Sequence, residues 1–138
     1  MIKGISHLTF IVHDLEKATL FFEKIFAAEV VYDSGAQLFS VSKERYFRIG
    51  ELWIAAMEGE ALPAKTYNHI AFQIAECDFE EYEKRIKDLG LERRTPRGRV
   101  EGEGRSLYFY DYDNHLFELH TGTLGERLTA YNSRKKAK

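Results

Sequence analysis

The sequence has one cysteine and no long apolar run. Cys77 has no second cysteine to pair with, so an intramolecular disulfide is excluded and the composition suits a reducing compartment. No stretch approaches the length of a membrane span, and the start of the chain lacks an apolar core followed by a small-residue cleavage site. We therefore expect a cytoplasmic protein with no membrane partner.

Excess charge of either sign is also missing. Twenty Lys and Arg residues face 22 Asp and Glu residues, which gives a formal net charge of −2. This balance offers no general attraction for nucleic acid, although a local basic cluster could still bind a small anion. The hydrophobic fraction of 44% and charged fraction of 30% are typical of a globular domain. The basic end from Ser133 to Lys138 is predicted to be a frayed tail without a role.

The chain contains an internal repeat. His7 begins a short apolar segment that is followed by Asp14, a plausible N-cap, and by a helical pattern. His69 begins a similar segment, followed by Asp78 as the expected cap and a helix closed by Gly90. The two histidines are 62 residues apart.

Short strand patterns follow each helix, so each half approximates a β-α-β-β-β unit. The predicted strands are His7–Val12, Glu29–Tyr32, Leu38–Ser42, Tyr46–Ile49 and Leu52–Met57, then His69–Ile74, Leu91–Arg94, Leu107–Tyr110 and Leu116–His120. A polar link over residues 58–63 separates the halves, and residues 111–114 form the turn of the last hairpin. Half-units this small are marginal alone, so their sheets should pair within a chain or between chains.

Three residues are candidate metal ligands. His7 and His69 occupy equivalent places in the two halves, and Glu118 lies between apolar neighbours, where a carboxylate is costly unless paired or metal-bound. Two imidazoles and one carboxylate suit Mn, Fe, Zn or Ni. Histidines with satisfied hydrogen bonds and a solvent-facing Glu118 are equally compatible with the spacing. His120 shares the face of Glu118 as a supporting or competing residue, whereas His13 and His115 are expected at the surface.

Longer motifs resemble the vicinal-oxygen-chelate (glyoxalase/bleomycin-resistance/dioxygenase) superfamily and, within it, the FosX-type fosfomycin-resistance epoxide hydrolases. The resemblance runs from Gly4 to Leu128. It is carried by Leu52-Trp53-Ile54, by Thr66-Tyr67-Asn68-His69-Ile70-Ala71-Phe72, by the stretch from Gly102 to Asp111, and by the stretch from Asp113 to Gly122.

This resemblance implies an α+β fold of paired βαβββ units, exchanged between the subunits of a homodimer. The whole chain, 1–138, would then be one vicinal-oxygen-chelate domain built from half-units 1–60 and 64–125 with a short C-terminal tail. Mn(II) would be held by His7 of one subunit and by His69 and Glu118 of the other. The implied reaction is hydration of the epoxide of fosfomycin, a small phosphonate, to a vicinal diol.

The resemblance also implies which residues contact the substrate. Ser106, Tyr108 and Arg127 match phosphonate-side positions, and Thr9, Trp53 and Tyr67 are expected to shape the pocket. Arg94, Arg97 and Arg99 crowd one loop that does not align cleanly with the family. We take Arg99 as the phosphonate contact, although each of the three could instead be a solvated surface charge.

Glu44 is the expected general base. On its own, between Lys43 and Arg45, it would be interpreted as a surface charge, and only the family resemblance assigns it the hydrolase's catalytic carboxylate. Two alternatives remain open at this point. One is a transferase that adds a thiol, glutathione or bacillithiol, to fosfomycin, and the other is a non-catalytic drug-binding protein that needs no metal.

Overall fold

The computed structural model describes residues 1–136 and divides them into two units. Unit 1 contains Met1–Lys65 together with the turn Asp111–His115. Unit 2 contains Thr66–Tyr110 and the residues from Leu116 onward. No helix within residues 1–136 combines the length and apolar character needed to cross a membrane.

Unit 1 is a four-stranded sheet with one helix. Its elements are β1 (His7–Val12), α1 (Leu15–Phe26), β2 (Glu29–Asp33), β3 (Glu44–Ile49) and β4 (Leu52–Glu58). The strand order is β1-β4-β3-β2, in which β1 runs parallel to β4 and the other pairs are antiparallel. The connection from β1 to its parallel neighbour β4 passes through α1, β2 and β3, and parallel pairing requires a long crossover of this kind.

Unit 2 repeats this topology. Its elements are β5 (His69–Gln73), a 3₁₀ turn (Glu76–Asp78), α2 (Phe79–Asp88), β6 (Arg93–Arg94), β7 (Ser106–Tyr110), β8 (Leu116–His120) and α3 (Leu124–Lys136). The strand order is β5-β8-β7-β6, and β5 is parallel to β8. The predicted α+β class with two βαβββ units is confirmed.

Aromatic side chains form the core of unit 1. Phe21, Phe22 and Ile25 lie on one face of α1 and are fully buried. Phe47 of β3 is also fully buried, and its ring centroid lies 4.9 Å from that of Phe22. In unit 2 the fully or almost fully buried apolar side chains are Ile86, Leu107, Phe109, Phe117 and Leu119. Each sheet therefore has one face covered by apolar side chains, which leaves the other face available for polar groups.

Helices α1 and α2 begin differently, although the sequence predicts an Asp N-cap for both. Asp14 accepts hydrogen bonds from the backbone N–H groups of Glu16 and Lys17, so this cap is confirmed. Asp78 stands at the N-cap position of α2, as predicted, but its side chain makes no capping hydrogen bond. Its backbone is already helical because the 3₁₀ turn runs into α2, whereas a capping side chain needs an extended backbone.

Two segments differ from the sequence prediction. Residues 38–42 form bends rather than a strand, and Leu38, Phe39 and Val41 are 54%, 79% and 90% exposed. Both edges of β3 are taken by β2 and β4, so residues 38–42 cannot pair with the strand that follows them in the chain. The predicted frayed tail is helical instead, since α3 continues to Lys136. Residues 137 and 138 lie outside the described residues.

The core assignment predicts a large difference between two phenylalanines that are eight positions apart. Phe47→Ala should lower the free energy of unfolding by about 3–5 kcal/mol, because it leaves a cavity in a fully packed site. The exposed Phe39 is the matched control, and Phe39→Ala should stay within about 0.5 kcal/mol of the wild type. Urea denaturation followed by circular dichroism measures both. Equal losses would contradict the burial of Phe47.

Candidate active site

Strand register places four of the predicted site residues on one face of the sheet in unit 2. Tyr108 pairs directly with Glu118, and Ser106 pairs with His120 two residues further along the same strand. Ala71 also pairs with Glu118, so His69, two residues before it, points to the same side. His69 and Glu118, which are 49 positions apart in the sequence, thus meet on this face.

Glu118 and His69 form the centre of this group. The Glu118 Oε1 and His69 Nε2 atoms are 3.0 Å apart, and the Glu118 side chain is only 5% exposed. The other ring nitrogen of His69 donates to the backbone carbonyl of Tyr67 at 2.6 Å, since a carbonyl can only accept. Nε2 and Oε1 consequently each carry a lone pair, and because they face one another, a proton or a cation can bind both.

The spacing of these two atoms fits a metal. Nitrogen and oxygen ligands about 2.1 Å from one divalent ion, at a right angle to each other, lie about 3 Å apart, as His69 Nε2 and Glu118 Oε1 do. The second ring nitrogen is already held by Tyr67, which is the usual way a metal-binding imidazole is oriented. The donor pair therefore suits a metal such as Mn, Fe or Zn.

The second oxygen of Glu118 is held by hydroxyl and guanidinium groups. Ser106 Oγ donates to Oε2 at 2.5 Å, and Arg99 Nη2 lies 3.4 Å from it. Burial by itself would raise the pKa of Glu118. Hydrogen bonds from Ser106 and Tyr108, the His69 ring when it is protonated, and the charge of Arg99 nevertheless hold the pKa of Glu118 below its ordinary value. Glu118 is thus kept ionised, which is the form that binds a metal.

A directed hydrogen-bond chain supports Ser106. Its oxygen lies 2.7 Å from His120 Nδ1, and because the Ser106 proton goes to Glu118, the His120 Nδ1–H is the donor. His120 Nε2 then accepts from Arg127 Nη2 at 3.4 Å. Burial lowers the pKa of His120, which favours the neutral ring that this chain requires. His120 is therefore a supporting residue of Glu118, one of the two roles predicted for it.

Two glycines pack against the His120 ring. A Cβ added to Gly104 would lie 2.7 Å from the backbone nitrogen of Gly122, and one added to Gly122 would lie 2.9 Å from His120 Nε2. Gly104 also has a φ of +94°, a conformation that side chains disfavour. The backbone thus approaches the ring more closely than any other residue type would allow.

The three candidate arginines, one at the end of β6 and two in the loop that follows it, have different surroundings. Arg99 is the most enclosed, and its Nη2 donates to Ser106 at 2.7 Å and to Tyr108 at 3.1 Å. Its buried Nε–H has no hydrogen-bond partner among residues 1–136. Arg94 donates to the hydroxyl of Tyr110 and lies over the Tyr67 ring. Arg97 binds Glu103. Arg99 is therefore not the solvated charge that the sequence left open.

Glu103 is a residue that sequence reasoning missed. It is completely buried, and its carboxylate contacts Arg97, Arg99, Arg127 and the hydroxyl of Tyr131. Burial would raise its pKa, but the hydrogen bonds from Arg97, Tyr131 and the Val100 backbone N–H lower it to about 2. The signal in the sequence was the pair of flanking glycines, Gly102 and Gly104, which allow the backbone to turn this side chain inward.

The predicted residues of unit 1 also share one sheet face. His7 pairs with Trp53, and Thr9 pairs with Ala55 in the same alternation. The ring of His7 stacks on that of Trp53 with centroids 4.0 Å apart, and its Nδ1 lies 2.9 Å from Ser6 Oγ. Ala55 holds the register position in unit 1 that Glu118 holds in unit 2, so this half presents a histidine without the matching carboxylate.

Glu44 lies on the same face, at the start of β3. It is 4% exposed, so its interpretation as a surface charge is wrong. Its backbone N–H donates to Ser34 Oγ, and the hydroxyl of Tyr46 donates to its Oε1 at 2.9 Å. The hydrogen bond to Glu44 raises the pKa of Tyr46, so the phenol remains a donor. The second carboxylate oxygen remains available as an acceptor for a further group.

Within residues 1–136, no three His, Cys, Asp or Glu side chains come close enough to hold a metal ion. In unit 2, His69 Nε2 and Glu118 Oε1 lie 3.0 Å apart, and in unit 1 His7 lies at the equivalent strand position.

Sequence comparison identifies the superfamily of this chain with two βαβββ units. The model of the Glyoxalase/Bleomycin resistance protein/Dioxygenase superfamily matches residues 4–119. The chain therefore belongs to this superfamily.

Its relatives include named resistance proteins. Fosfomycin resistance protein FosX of Listeria innocua is 61% identical over 132 residues, which cover 96% of this chain and 99% of the relative. Metallothiol transferase FosB of Staphylococcus saprophyticus is 37% identical over 98% of this chain and 87% of its own length. The predicted resemblance to FosX-type proteins is thus confirmed.

A solved structure of a FosX protein has the same fold as this chain. A mutant of the FosX of Listeria monocytogenes, crystallised with Mn(II) and 1S,2S-dihydroxypropylphosphonic acid, superposes with a TM-score of 0.87 at 56% identity. This alignment covers 95% of this chain and 99% of that chain.

The buried Glu103 predicts a specific pH dependence of stability. Its pKa is 4.5 in the absence of shifts and about 2 in the folded protein, so the unfolded chain binds the additional proton in this interval. The carboxylate's contribution to stability should therefore be complete above pH 4.5 and should be lost as the pH falls toward about 2. Urea unfolding of the wild type and Glu103→Gln measures this contribution as their difference. A difference that is equal at neutral pH and near pH 3 would contradict the prediction.

Proposed function

We propose that this protein is a Mn(II)-dependent epoxide hydrolase that converts fosfomycin to a vicinal diol phosphonate and so confers resistance. The observation that carries the proposal is the buried Glu118–His69 pair beside Arg99, whose Nε–H has no partner. FosX proteins that are 59–61% identical over at least 93% of this chain support it. So does the FosX structure that contains Mn(II) and a dihydroxypropylphosphonic acid.

The metal ligands are His7 of one protomer together with His69 and Glu118 of the partner subunit. Unit 2 offers an imidazole and a carboxylate on one sheet face with 3.0 Å between their nearest atoms, and unit 1 offers His7 on an edge strand of its sheet. When bound there, Mn(II) supplies a Lewis acid that withdraws charge as the epoxide C–O bond breaks. Glu118 remains ionised for this purpose through its contacts with Ser106 and Tyr108.

The phosphonate binds to the donors around Arg99. A phosphonate oxygen is an anionic acceptor, and the unpartnered Nε–H of Arg99 is a buried donor that lacks one. The hydroxyls of Ser106 and Tyr108 lie 2.7 Å and 3.1 Å from the same guanidinium, and Arg127 adds a second positive charge. Thr9, Trp53 and Tyr67 line the pocket and exclude water from the remaining surface of the substrate.

Glu44 is the general base. It accepts from Tyr46 through one oxygen, which orients the carboxylate and leaves the other oxygen to accept a proton from water. As that water attacks an epoxide carbon, its proton passes to Glu44 and the C–O bond opens. The epoxide oxygen leaves this step as an alkoxide, and it becomes the second hydroxyl when the proton taken up by Glu44 returns to it through solvent, so that both hydroxyls of the diol are accounted for.

The assembly that this site requires is a homodimer with exchanged units. In it the whole chain, 1–138, acts as one domain, because His7 and the pair His69–Glu118 belong to different compact units. We place the enzyme in the cytoplasm, where a lone free cysteine, Cys77, remains reduced.

A thiol transferase is the second candidate function. Metallothiol transferases FosB, 34–39% identical to this chain, support it. A thiolate is already a strong nucleophile and needs no base, so the buried Glu44 favours water over a thiol as the attacking group. A metal-free drug-binding protein would need neither Glu44 nor the Glu118–His69 pair.

The Glu44→Gln variant tests hydrolysis against thiol addition. Gln keeps the shape but has little basicity, so diol formation should fall by about 10²–10⁴-fold. Mn(II) and fosfomycin affinity should be retained, and any addition of glutathione should survive. Phosphorus NMR of fosfomycin with Mn(II), with and without thiol, counts diol and adduct in one sample. Adduct without diol from the wild type would show the transferase, and wild-type diol formation by Glu44→Gln would remove Glu44 as the base.

A second test concerns the shared metal site. Replacing His7, His69 or Glu118 by Ala should weaken Mn(II) binding severely, because each change removes one of three ligands. Calorimetric titration with Mn(II) measures the loss. His115→Ala is the matched control, since its ring contacts Asp111 and Phe10 within unit 1 and should leave Mn(II) affinity unchanged.

Mixing two inactive variants then shows whether the three ligands come from one chain or from two. Refolding His7→Ala together with Glu118→Ala should restore one intact site in each heterodimer, and with it part of the activity. Verified heterodimers without recovery would mean that each site is built within a single chain.

A further inference from the structure

The completely buried carboxylate of Glu103 lies among three guanidinium groups. Arg97 is its closest partner, Arg99 Nη1 lies 3.2 Å away, and Arg127 Nε lies 3.6 Å away. Tyr131 donates to it at 2.7 Å, and the backbone N–H of Val100 donates to its second oxygen at 3.1 Å. One negative charge thus organises three positive charges that would otherwise repel each other.

These contacts join two segments of unit 2. Arg97 and Arg99 belong to the loop between β6 and β7, whereas Arg127 and Tyr131 are one turn apart on α3. Residues four apart on a helix share a face, so α3 presents both to the same carboxylate. Glu103 is therefore the point at which the loop and the C-terminal helix meet.

Arg99 and Arg127 extend from Glu103 to the candidate active site. Arg99 uses Nη1 for Glu103 and Nη2 for Ser106 and Tyr108, and Arg127 uses Nη2 for His120. A guanidinium is planar, so fixing both Nη atoms also fixes the direction of the Nε–H of Arg99. Without Glu103, the nearest remaining carboxylate for Arg99 is Glu118, whose Oε2 is 3.4 Å away.

We propose that Glu103 is a positioning residue, which holds Arg99 and Arg127 in the orientation that binds a tetrahedral oxyanion and makes that orientation depend on the docking of α3. This inference rests on the proposed function only for the identity of the anion, the phosphonate of the substrate. It concerns binding geometry and not the chemical step.

The sign of one measurement separates positioning from simple charge compensation. A carboxylate that only weakened the positive field would, when neutralised, leave the anion bound more tightly. A carboxylate that orients the guanidiniums would, when neutralised, leave the anion bound more weakly, because the arginines lose their common acceptor. A purely structural role would lower stability and leave the affinity unchanged.

The experiment is a calorimetric titration of the full-length, metal-free protein with inorganic phosphate. Glu103→Gln should bind phosphate about tenfold to a hundredfold more weakly than the wild type, the scale expected for misplaced binding groups. Glu101→Gln is the matched control, because it makes the same charge change at an exposed position of the same loop, and it should bind phosphate as the wild type does. Tighter or unchanged binding by Glu103→Gln, or a wild type that does not bind phosphate, overturns the proposal.

Tyr131→Phe keeps every charge and removes one hydrogen bond to Glu103. It should weaken phosphate binding severalfold, and it decides the question if Glu103→Gln fails to fold: unchanged affinity in Tyr131→Phe then overturns the proposal. With fosfomycin, both variants should raise KM more than they lower kcat. Because phosphate binding is measured without turnover, a wild type that binds phosphate but forms no diol would contradict the proposed function and not the role of Glu103.

Discussion

A carboxylate on a buried sheet face must be surrounded by donors or cations, and the arrangement of unit 2 follows from meeting this requirement at Glu118. Ser106 and Tyr108 lie on the neighbouring strand at the register positions from which their hydroxyls reach it. His69 comes from the strand on the other side. Backbone register therefore fixes the position of each of these groups, and a site held in this way binds a metal with little reorganisation.

The same requirement explains why the two halves of the repeat have diverged. Unit 1 carries Ala55 at the position of Glu118, and its sheet face needs no donors there. It instead carries a different buried carboxylate, Glu44, with Tyr46 as its donor. Unit 2 therefore holds its carboxylate among hydroxyl, imidazole and guanidinium groups and unit 1 holds its carboxylate beside a phenol, although both use the same strand order.

The sequence allows much of this to be predicted, because hydrophobic alternation and the repeated histidines depend on local pattern. The βαβββ units and the helix cap at Asp14 are examples. The prediction of a strand over residues 38–42 was wrong because hydrophobic alternation does not show whether a segment can pair with a neighbouring strand. Glu103 was missed for a related reason: a charged residue in an arginine-rich loop resembles a solvated one until the fold brings α3 against it. Burial of Glu44 likewise depends on tertiary contacts.

The glycine pair behind His120 has an evolutionary consequence. Gly104 and Gly122 approach each other and the His120 ring so closely that any added methyl group would displace one of them. Single substitutions at Gly104 or Gly122 are therefore excluded, whereas Thr9, Trp53 and Tyr67 have no such backbone constraint. Related proteins should therefore keep the backbone behind His120 unchanged and differ at positions, such as these three, whose side chains can vary.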